Sequence, residues 1–357
     1  MLNRRSLLTK GLIVSSLTVG TQSLASPAVA KSVQRLTMVT SWPRSSPGPG
    51  TTADRIAQSI ASLSQGQMDV QLYGASELVP AFNVFDAVSN GTADLGHSAS
   101  FFQAGKHKAA TIFTTLPFGM KPLAHQSWVE QGGGQALWDQ IYADFAVKPF
   151  LAGNSDMTMG GWFKTPVTDA SSLKGRKLRI AGLGALIYQA LGASTITLAP
   201  QEIFAALSGA SLDGLEFLGP FSDQAAGYAR LCPYYYYPGF NKPNGSAEGL
   251  VNAQLFNRLN SEQRAIIETA FTLENHRGLA EANWFNAQAL AQLKQGGTQV
   301  ERFQSSLIKQ AYLAWQDVRQ TWLDQNPEVR AVYDSYAAAS ELLGDWRALE
   351  MQDADYS

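Results

Sequence analysis

Two stretches of this 357-residue chain, FDAVSNGTADLGHS (85–98) and FAALSGASLDGLEF (204–217), align without a gap. Phe85 matches Phe204, Ala87 matches Ala206, Ser89 matches Ser208 and Asp94 matches Asp213. Each reads as a helix, a tight turn and an entering strand. Three residues beyond each aspartate stand His97 and Glu216, which the pattern places at a rim where both strands present side chains. Chance resemblance over so short a span is one explanation. The other is a molecule of two similar lobes, each turning a helix–strand unit toward a shared cleft.

The flanking sequence suits the second explanation. QRLTMVTSWP (34–43) alternates as a strand up to the turn at Pro43, GTTADRIAQSIASLSQG (50–66) places Ile56, Ile60 and Leu63 at helical spacing, and MDVQLYG reads as a second strand. Strand, helix, strand with short connections is an α/β beginning. A second lobe is entered near residue 153, with LKGRKLRI (173–180) starting a strand, and the return runs through CPYYYYPGFNKPNG. Alternation puts Tyr234 and Tyr236 on one face and Tyr235 and Tyr237 on the other. That suits a segment crossing between lobes, although sheet propensity alone would also select tyrosines. From Ser261, read as a helix cap, a long Ala-rich helix runs to Gly296. A further helix over about 305–325 carries Ile308, Tyr312, Trp315, Val318 and Trp322 on one stripe, followed by Val332, Tyr333, Tyr336, Leu343 and Trp346. So aromatic a tail either caps its own core or packs on a second copy of the chain; a homodimer is the expectation carried forward.

Residues 1–30 stand apart. Arg4, Arg5 and Lys10 precede a low-charge stretch that ends in Ala28-Val29-Ala30, the pattern of an export signal. The adjacent arginines point to the twin-arginine route. Without these residues the chain carries a net charge of −5, which gives no electrostatic reason to expect nucleic acid. The single Cys232 allows no internal disulfide, so stability outside the cytoplasm must come from packing. The boundaries expected are therefore 1–30 export signal, 31–152 plus 243–300 lobe I, 153–242 lobe II, and 301–357 a C-terminal helical segment.

Catalytic patterns are missing from the sequence. No G-x-S-x-G occurs, the four histidines show no metal-ligand spacing, and Cys232 sits among aromatics, so no enzyme is expected. The stretch KLRIAGLGALIYQALGAS (177–194) resembles a dinucleotide loop only superficially, because Ile187 stands where a small residue is needed and no acidic residue closes a strand about twenty positions on. What remains is Arg179 at a strand end, beside Gly182, Gly184 and the start of a helix. Such an arginine is either a solvated surface charge or, through its fork of donors, an anion anchor.

The combination of MGGWF (159–163), KLRI followed by two glycines, EIFAALSGASLDGLEF and YYYYPG, with SWPRSSPGPGTTADRIA, PFGMKP and GGGQALWDQIYADF, resembles the substrate-binding subunit of TRAP transporters. The likeness covers essentially all of the chain after the signal and is greatest to the branch that binds 2-oxo acids and related monocarboxylates. It implies a periplasmic two-lobed α/β protein, with a cleft between the lobes, a long helix spanning both and C-terminal helices, that passes a small carboxylate to membrane permease subunits. It implies that Arg179 makes a paired salt bridge with the ligand carboxylate, and that Glu216 lies at the same cleft and helps hold a cation, sodium or calcium, that touches the ligand. No organic cofactor is implied. Phe217, where the family usually has Trp, would lend a backbone carbonyl to that cation. Thr158 stands where Gln usually supplies a side-chain oxygen, and its hydroxyl sits two bonds nearer the backbone, which puts the metal in question. Phe101 and Phe102 replace frequent tyrosines and suggest a less polar ligand tail, with Trp42, Phe101, Trp162 and Phe217 as walls. A periplasmic sensor of the same fold, and an exported oxo-acid enzyme with Glu216 as base, are the rival readings.

Overall fold

In a computed structural model of the protein, the described residues are 33–352, apart from Ala210. The expected export signal lies outside them. The chain first lays down β1 (Gln34–Thr40), β2 (Met68–Tyr73), β3 (Leu95–Ser98) and β4 (Val147–Asn154). It then crosses to β5 (Gly161–Phe163), β6 (Lys177–Arg179), β7 (Ser194–Ile196), β8 (Gly214–Leu215) and β9 (Tyr234–Tyr237). It returns in β10 (Ser246–Asn252), enters the long helix Ser261–Gln295 and reaches β11 (Gln299–Arg302). Two sheets result, ordered β2-β1-β3-β10-β4 and β11-β9-β5-β8-β6-β7.

The two sheets share a plan. In each, a strand, a helix, a second strand, another helix and a third strand form a parallel trio, with the first strand in the middle. The third strand is then flanked on its outer side by an antiparallel one, β10 in the first sheet and β5 in the second. The aligned segments 85–98 and 204–217 fall at equivalent places, carrying β3 and β8. β3 and β8, inside their sheets, are buried on both faces, as strands covered by crossover helices must be. On one side of the first sheet Leu36 and Met38 pack with Ile56, Ile60, Ile267 and Phe271. On the other, Val39 packs with Phe85, Trp128 and Trp138. Leu63, expected on the inner stripe of its helix, is half exposed because that helix ends there.

The long helix has 35 residues and is capped by Asn260 rather than Ser261, since the Asn260 side chain accepts the Gln263 N–H. Its first half packs Ile267, Ala270 and Phe271 into the core of the first sheet, while Leu293 near its end packs into that of the second. Arg55, on the helix Pro49–Leu63, ties it down by donating to Glu274 at 2.6 Å and Glu281 at 3.0 Å. β11 then pairs with β9, so 299–302 belong to the second sheet and not to a first lobe ending at residue 300. Of the C-terminal helices, Ser305–Gln325 buries Leu307, Ala311, Trp315 and Trp322, while Tyr312 stays half exposed. Arg330–Gln352 buries Val332 and Tyr336 but leaves Leu342, Trp346 and Leu349 at 72%, 60% and 60% exposure. No helix among the described residues is long and apolar enough to cross a membrane.

One buried carboxyl gives the fold a pH signature. Glu248 of β10 accepts the Tyr142 hydroxyl at 2.8 Å, and burial pushes its pKa up to about 8. Burial lowers His97 and His125 to about 4 and raises Asp223 to about 6. Below pH ~6.5 the histidines favour folding as pH rises and the two carboxyls oppose it, so these contributions offset each other. Above pH ~6.5 Glu248 alone of these four still takes up protons preferentially in the folded state, so stability falls as pH rises from about 6.5 to 8. Thermal melts across that window should show the decline in the wild-type protein and a flattened profile in Glu248→Gln. An unchanged slope in the variant would refute the assignment.

Candidate functional site

The second sheet differs from the first where charge appears. Register places Val39 opposite Gly96 and Arg179 opposite Leu215, so Arg179 is the positional equivalent of Val39. Glu216 is likewise the equivalent of His97. The first member of each pair is neutral or apolar; the second pair is an ion pair at the carboxyl ends of parallel strands, where open α/β sheets place their ligands.

Arg179 is 2% exposed. Its Nε and Nη2 donate to the Leu198 carbonyl at 3.3 and 3.1 Å, and Nη1 donates to the Glu216 carbonyl at 2.7 Å. A guanidinium carries five N–H donors, so one on each terminal nitrogen is left for a ligand, the fork that matches a carboxylate. Its ring-plane neighbour is Phe217, whose centroid lies 5.7 Å from Cζ. Glu216 is fully buried: Oε2 accepts the Ala181 N–H at 3.3 Å and lies 3.7 Å from Arg179 Nη1. Its other oxygen, Oε1, is in ion-pair contact with the ammonium of Lys242. Lys242 is 3% exposed and also donates to the Phe217 carbonyl at 2.5 Å.

Burial pulls the pKa of both cations down, partly offset by Glu216 beside them. An incoming anion would reverse that loss by giving each charge a further partner. Two cations share one carboxylate in contact with them, Glu216, while the buried Asp223 carboxyl acts on both from further away.

Both cations border a pocket whose apolar walls are Trp42, Phe101, Phe102 and Phe217. Trp42, Ala99 and Ala247, with Phe101 and Phe102 against them, form a separate apolar cluster on the first-sheet side. His97 supports that wall: its Nε2 donates to the Ala152 carbonyl at 2.9 Å, its Nδ1 lies 3.4 Å from the Thr40 hydroxyl, and its ring lies 5.0 Å from the Trp42 ring. The pocket continues past Trp42 and Phe217 into an open groove lined by Pro47, Pro200, Phe204 and Tyr228. A separate pocket beyond Gly245 and Ala247 has Glu281 as its one charged lining residue, already paired with Arg55, and so presents no cation to an anion.

Several sequence expectations change here. Neither His97 nor Glu216 stands at a rim; both are fully buried, His97 within β3 and Glu216 directly after β8, strands that each lie inside their sheet between two neighbours. Trp162 is not a cleft wall. Its indole N–H donates to Asp223 at 2.9 Å and its ring stacks on Tyr235 at 3.8 Å, inside the core of the second sheet. Thr158 does not line the pocket either: it is buried, and its hydroxyl donates to the Lys242 carbonyl. The helix after the glycines, Gly184–Ala190, starts against Asn241, whose Cβ would lie 2.8 Å from a Cβ on residue 184. Gly184 thus lets the 241–242 segment approach, and Gly182, at φ +70°, makes the preceding turn. Lys242 itself escaped the sequence reading. The available signal was a lone charge inside an aromatic and Gly/Pro-rich crossing segment, GFNKPNG.

A two-lobed α/β receptor with a buried arginine in its cleft is the class of protein these features define. The profile of bacterial extracellular solute-binding protein family 7, the DctP family, matches residues 38–325, and the chain belongs to that family of TRAP solute-binding proteins. It is 34% identical over 312 residues to a monocarboxylate 2-oxoacid-binding periplasmic protein of Nostoc, covering 87% of this chain and 85% of that one. It also resembles the crystal structure of a TRAP transporter solute-binding protein from Bordetella bronchiseptica, a mixed-occupancy dimer with copurified calcium and picolinate, at TM-score 0.88 and 30% identity over 91% of this chain and 96% of that one. A Pseudoalteromonas atlantica protein with bound sodium and pyruvate follows at TM-score 0.86 and 26% identity, covering 90% and 98%.

Those neighbours hold calcium or sodium with their carboxylate ligands. In this chain the oxygens expected for such an ion are engaged otherwise. Glu216 Oε1 and the Phe217 carbonyl both face the Lys242 ammonium, and the Thr158 hydroxyl is used on the Lys242 backbone. Among the described residues no three His, Cys, Asp or Glu side chains converge on a metal position. The residues as they stand do not fit a cation, because the ammonium already sits between its would-be ligands.

Proposed function

We propose that this protein is the periplasmic receptor of a TRAP-type transporter, capturing a 2-oxo acid or related monocarboxylate and delivering it to the membrane permease subunits. The observation that carries the reading is Arg179, buried at the pocket with an N–H free on each terminal nitrogen. Burying a carboxylate costs several kcal/mol unless it is paired, and this fork supplies the pairing. The 2-oxo-acid class is supported by the binding described for the Nostoc and Pseudoalteromonas relatives. Apolar walls and the open groove beyond Phe217 favour acids with an alkyl or aryl tail over pyruvate. The lobes we assign follow the two sheets, with the long helix bridging them. Arg179, Glu216, Trp42, Phe101 and Phe217 are their shared site, and the role is binding rather than catalysis. The exposed Leu342, Trp346 and Leu349 support self-association through the last helix.

Calorimetric titration with pyruvate, 2-oxobutyrate and 4-methyl-2-oxopentanoate tests this reading, with Trp42 fluorescence as a second signal. One saturable site, tighter for the longer acids, with ligand recovered chemically unchanged, is expected. No saturable binding of any 2-oxo acid would refute it, and turnover of the ligand would refute the receptor role.

A further inference from the structure

We propose that Lys242 is a built-in cation: its ammonium takes the place a metal ion would hold between Glu216 and Phe217, so that this protein binds its ligand without a metal. The inference rests on the carboxylate-receptor reading for its ligand and on geometry for the rest.

Three independent residues converge on Lys242. The Glu216 carboxylate faces its ammonium, the Phe217 carbonyl accepts from it at 2.5 Å, and the Thr158 hydroxyl donates to its backbone carbonyl. The side chain is 4% exposed, so this is a held position and not one conformer of a mobile surface lysine. Its backbone is held as firmly. Gly239, in the same segment, lies so close to Thr158 that a Cβ there would sit 2.1 Å from the Thr158 carbonyl, and Asn241 abuts Gly184.

A longer side chain at 158 would have to share this space with the lysine. The short threonine instead braces the backbone from which the lysine extends. Charge gives the second argument. A divalent ion beside Glu216 would add to the charges of a guanidinium and an ammonium, with Glu216 the one carboxylate in contact with them and Asp223 acting from further away; like-charge repulsion is weakly shielded in a buried site.

The substitution also predicts how the ligand is read. An ammonium has three N–H donors, and two are used on Glu216 and Phe217. The third is left at the pocket that Lys242 lines, where the Phe101 ring lies 5.6 Å away. With Arg179 taking the carboxylate, this donor meets an oxygen acceptor next to it, the 2-oxo group of an oxo acid. A point-charge donor with one free hydrogen accepts one oxygen in one direction, whereas a metal ion accepts several at similar distances. Acids lacking an oxygen beside the carboxylate should therefore bind more weakly than their 2-oxo counterparts.

The test compares the wild-type protein with Lys242→Met and Lys242→Gln, in chelator and in calcium. Wild-type titrations with 4-methyl-2-oxopentanoate should give the same Kd, within about twofold, in EGTA with choline as the only added monovalent cation and in millimolar calcium or sodium. Calorimetry with calcium alone should show no stoichiometric uptake by the wild type. In EGTA, Lys242→Met should lose at least tenfold in affinity, while Lys242→Gln, which returns an amide oxygen, should take up one calcium and recover part of the binding with it. A wild-type protein that requires calcium or sodium, or that binds calcium at one per chain, would overturn the inference and leave the receptor reading standing. So would a folded Lys242→Met that binds the acid as tightly as wild type. If no 2-oxo acid binds under any condition, the receptor reading fails, and calcium uptake by wild type against Lys242→Gln still decides whether the lysine holds the metal position. The wild-type measurements need no variant to fold.

Discussion

Arg179→Met is expected to abolish measurable carboxylate binding, raising Kd by about two orders of magnitude or more. Truncating one partner of a buried, hydrogen-bonded charge pair costs about 2–5 kcal/mol, and each 1.4 kcal/mol is tenfold in affinity. The variant also leaves the Leu198 carbonyl without its Arg179 donors, so its melting temperature must be read alongside its affinity. Arg179→Lys separates the two effects. It restores a charge but not the fork, because an ammonium cannot donate to Leu198, to Glu216 and twice to a ligand. Calorimetry should show binding by Arg179→Lys that is weak and more tolerant of ligand geometry. Wild-type affinity in a folded Arg179→Met would show that the pocket reads its ligand without the guanidinium.

Trp162→Ala is expected to destabilise the protein by about 4 kcal/mol while leaving Kd within about twofold of wild type under conditions where the variant is folded. The ring is wholly buried against Tyr235, and removing it leaves a cavity in the second sheet's core and takes a donor from Asp223. That carboxyl, already pushed up to about 6 by burial, keeps the Tyr235 hydroxyl and the Leu218 N–H, and the latter positions the segment beside Phe217. Trp162→Phe should keep much of the stacking and lose less stability. Denaturant unfolding measures the first effect and titration the second. A variant of normal stability that no longer binds would put the indole back in the cleft.

Much of the architecture was legible in residue order. The alternation in 34–40, the helical spacing of Ile56 and Ile60, and the matched segments 85–98 and 204–217 are local patterns, and strands and helices follow local periodicity. Arg179 was legible as a candidate through its place at a strand end before two glycines, and as an anchor through resemblance. Trp162 was misplaced because a tryptophan beside the site motif looks the same in sequence whether it faces the cleft or the sheet behind it. One step of strand register decides which, and register is set by pairing partners far along the chain. Ser261 was displaced by its neighbour because Asn260 is an equally good cap, and the choice falls to the residue whose backbone is extended.

The amino-acid order by itself determined that there are two similar α/β units, a long helix, an aromatic C-terminal tail and an arginine poised for an anion. Each element is signalled by residues within a few positions of one another, and the likeness of the two units by matching two such local patterns. Only the tertiary structure decided what stands beside that arginine. Lys242 lies 63 positions from Arg179 and 26 from Glu216 along the chain. It reaches them because β9 ends at the cleft and the crossing segment turns there toward β10. Opposite charges separated so far in sequence meet through the path of the backbone, which no local pattern encodes.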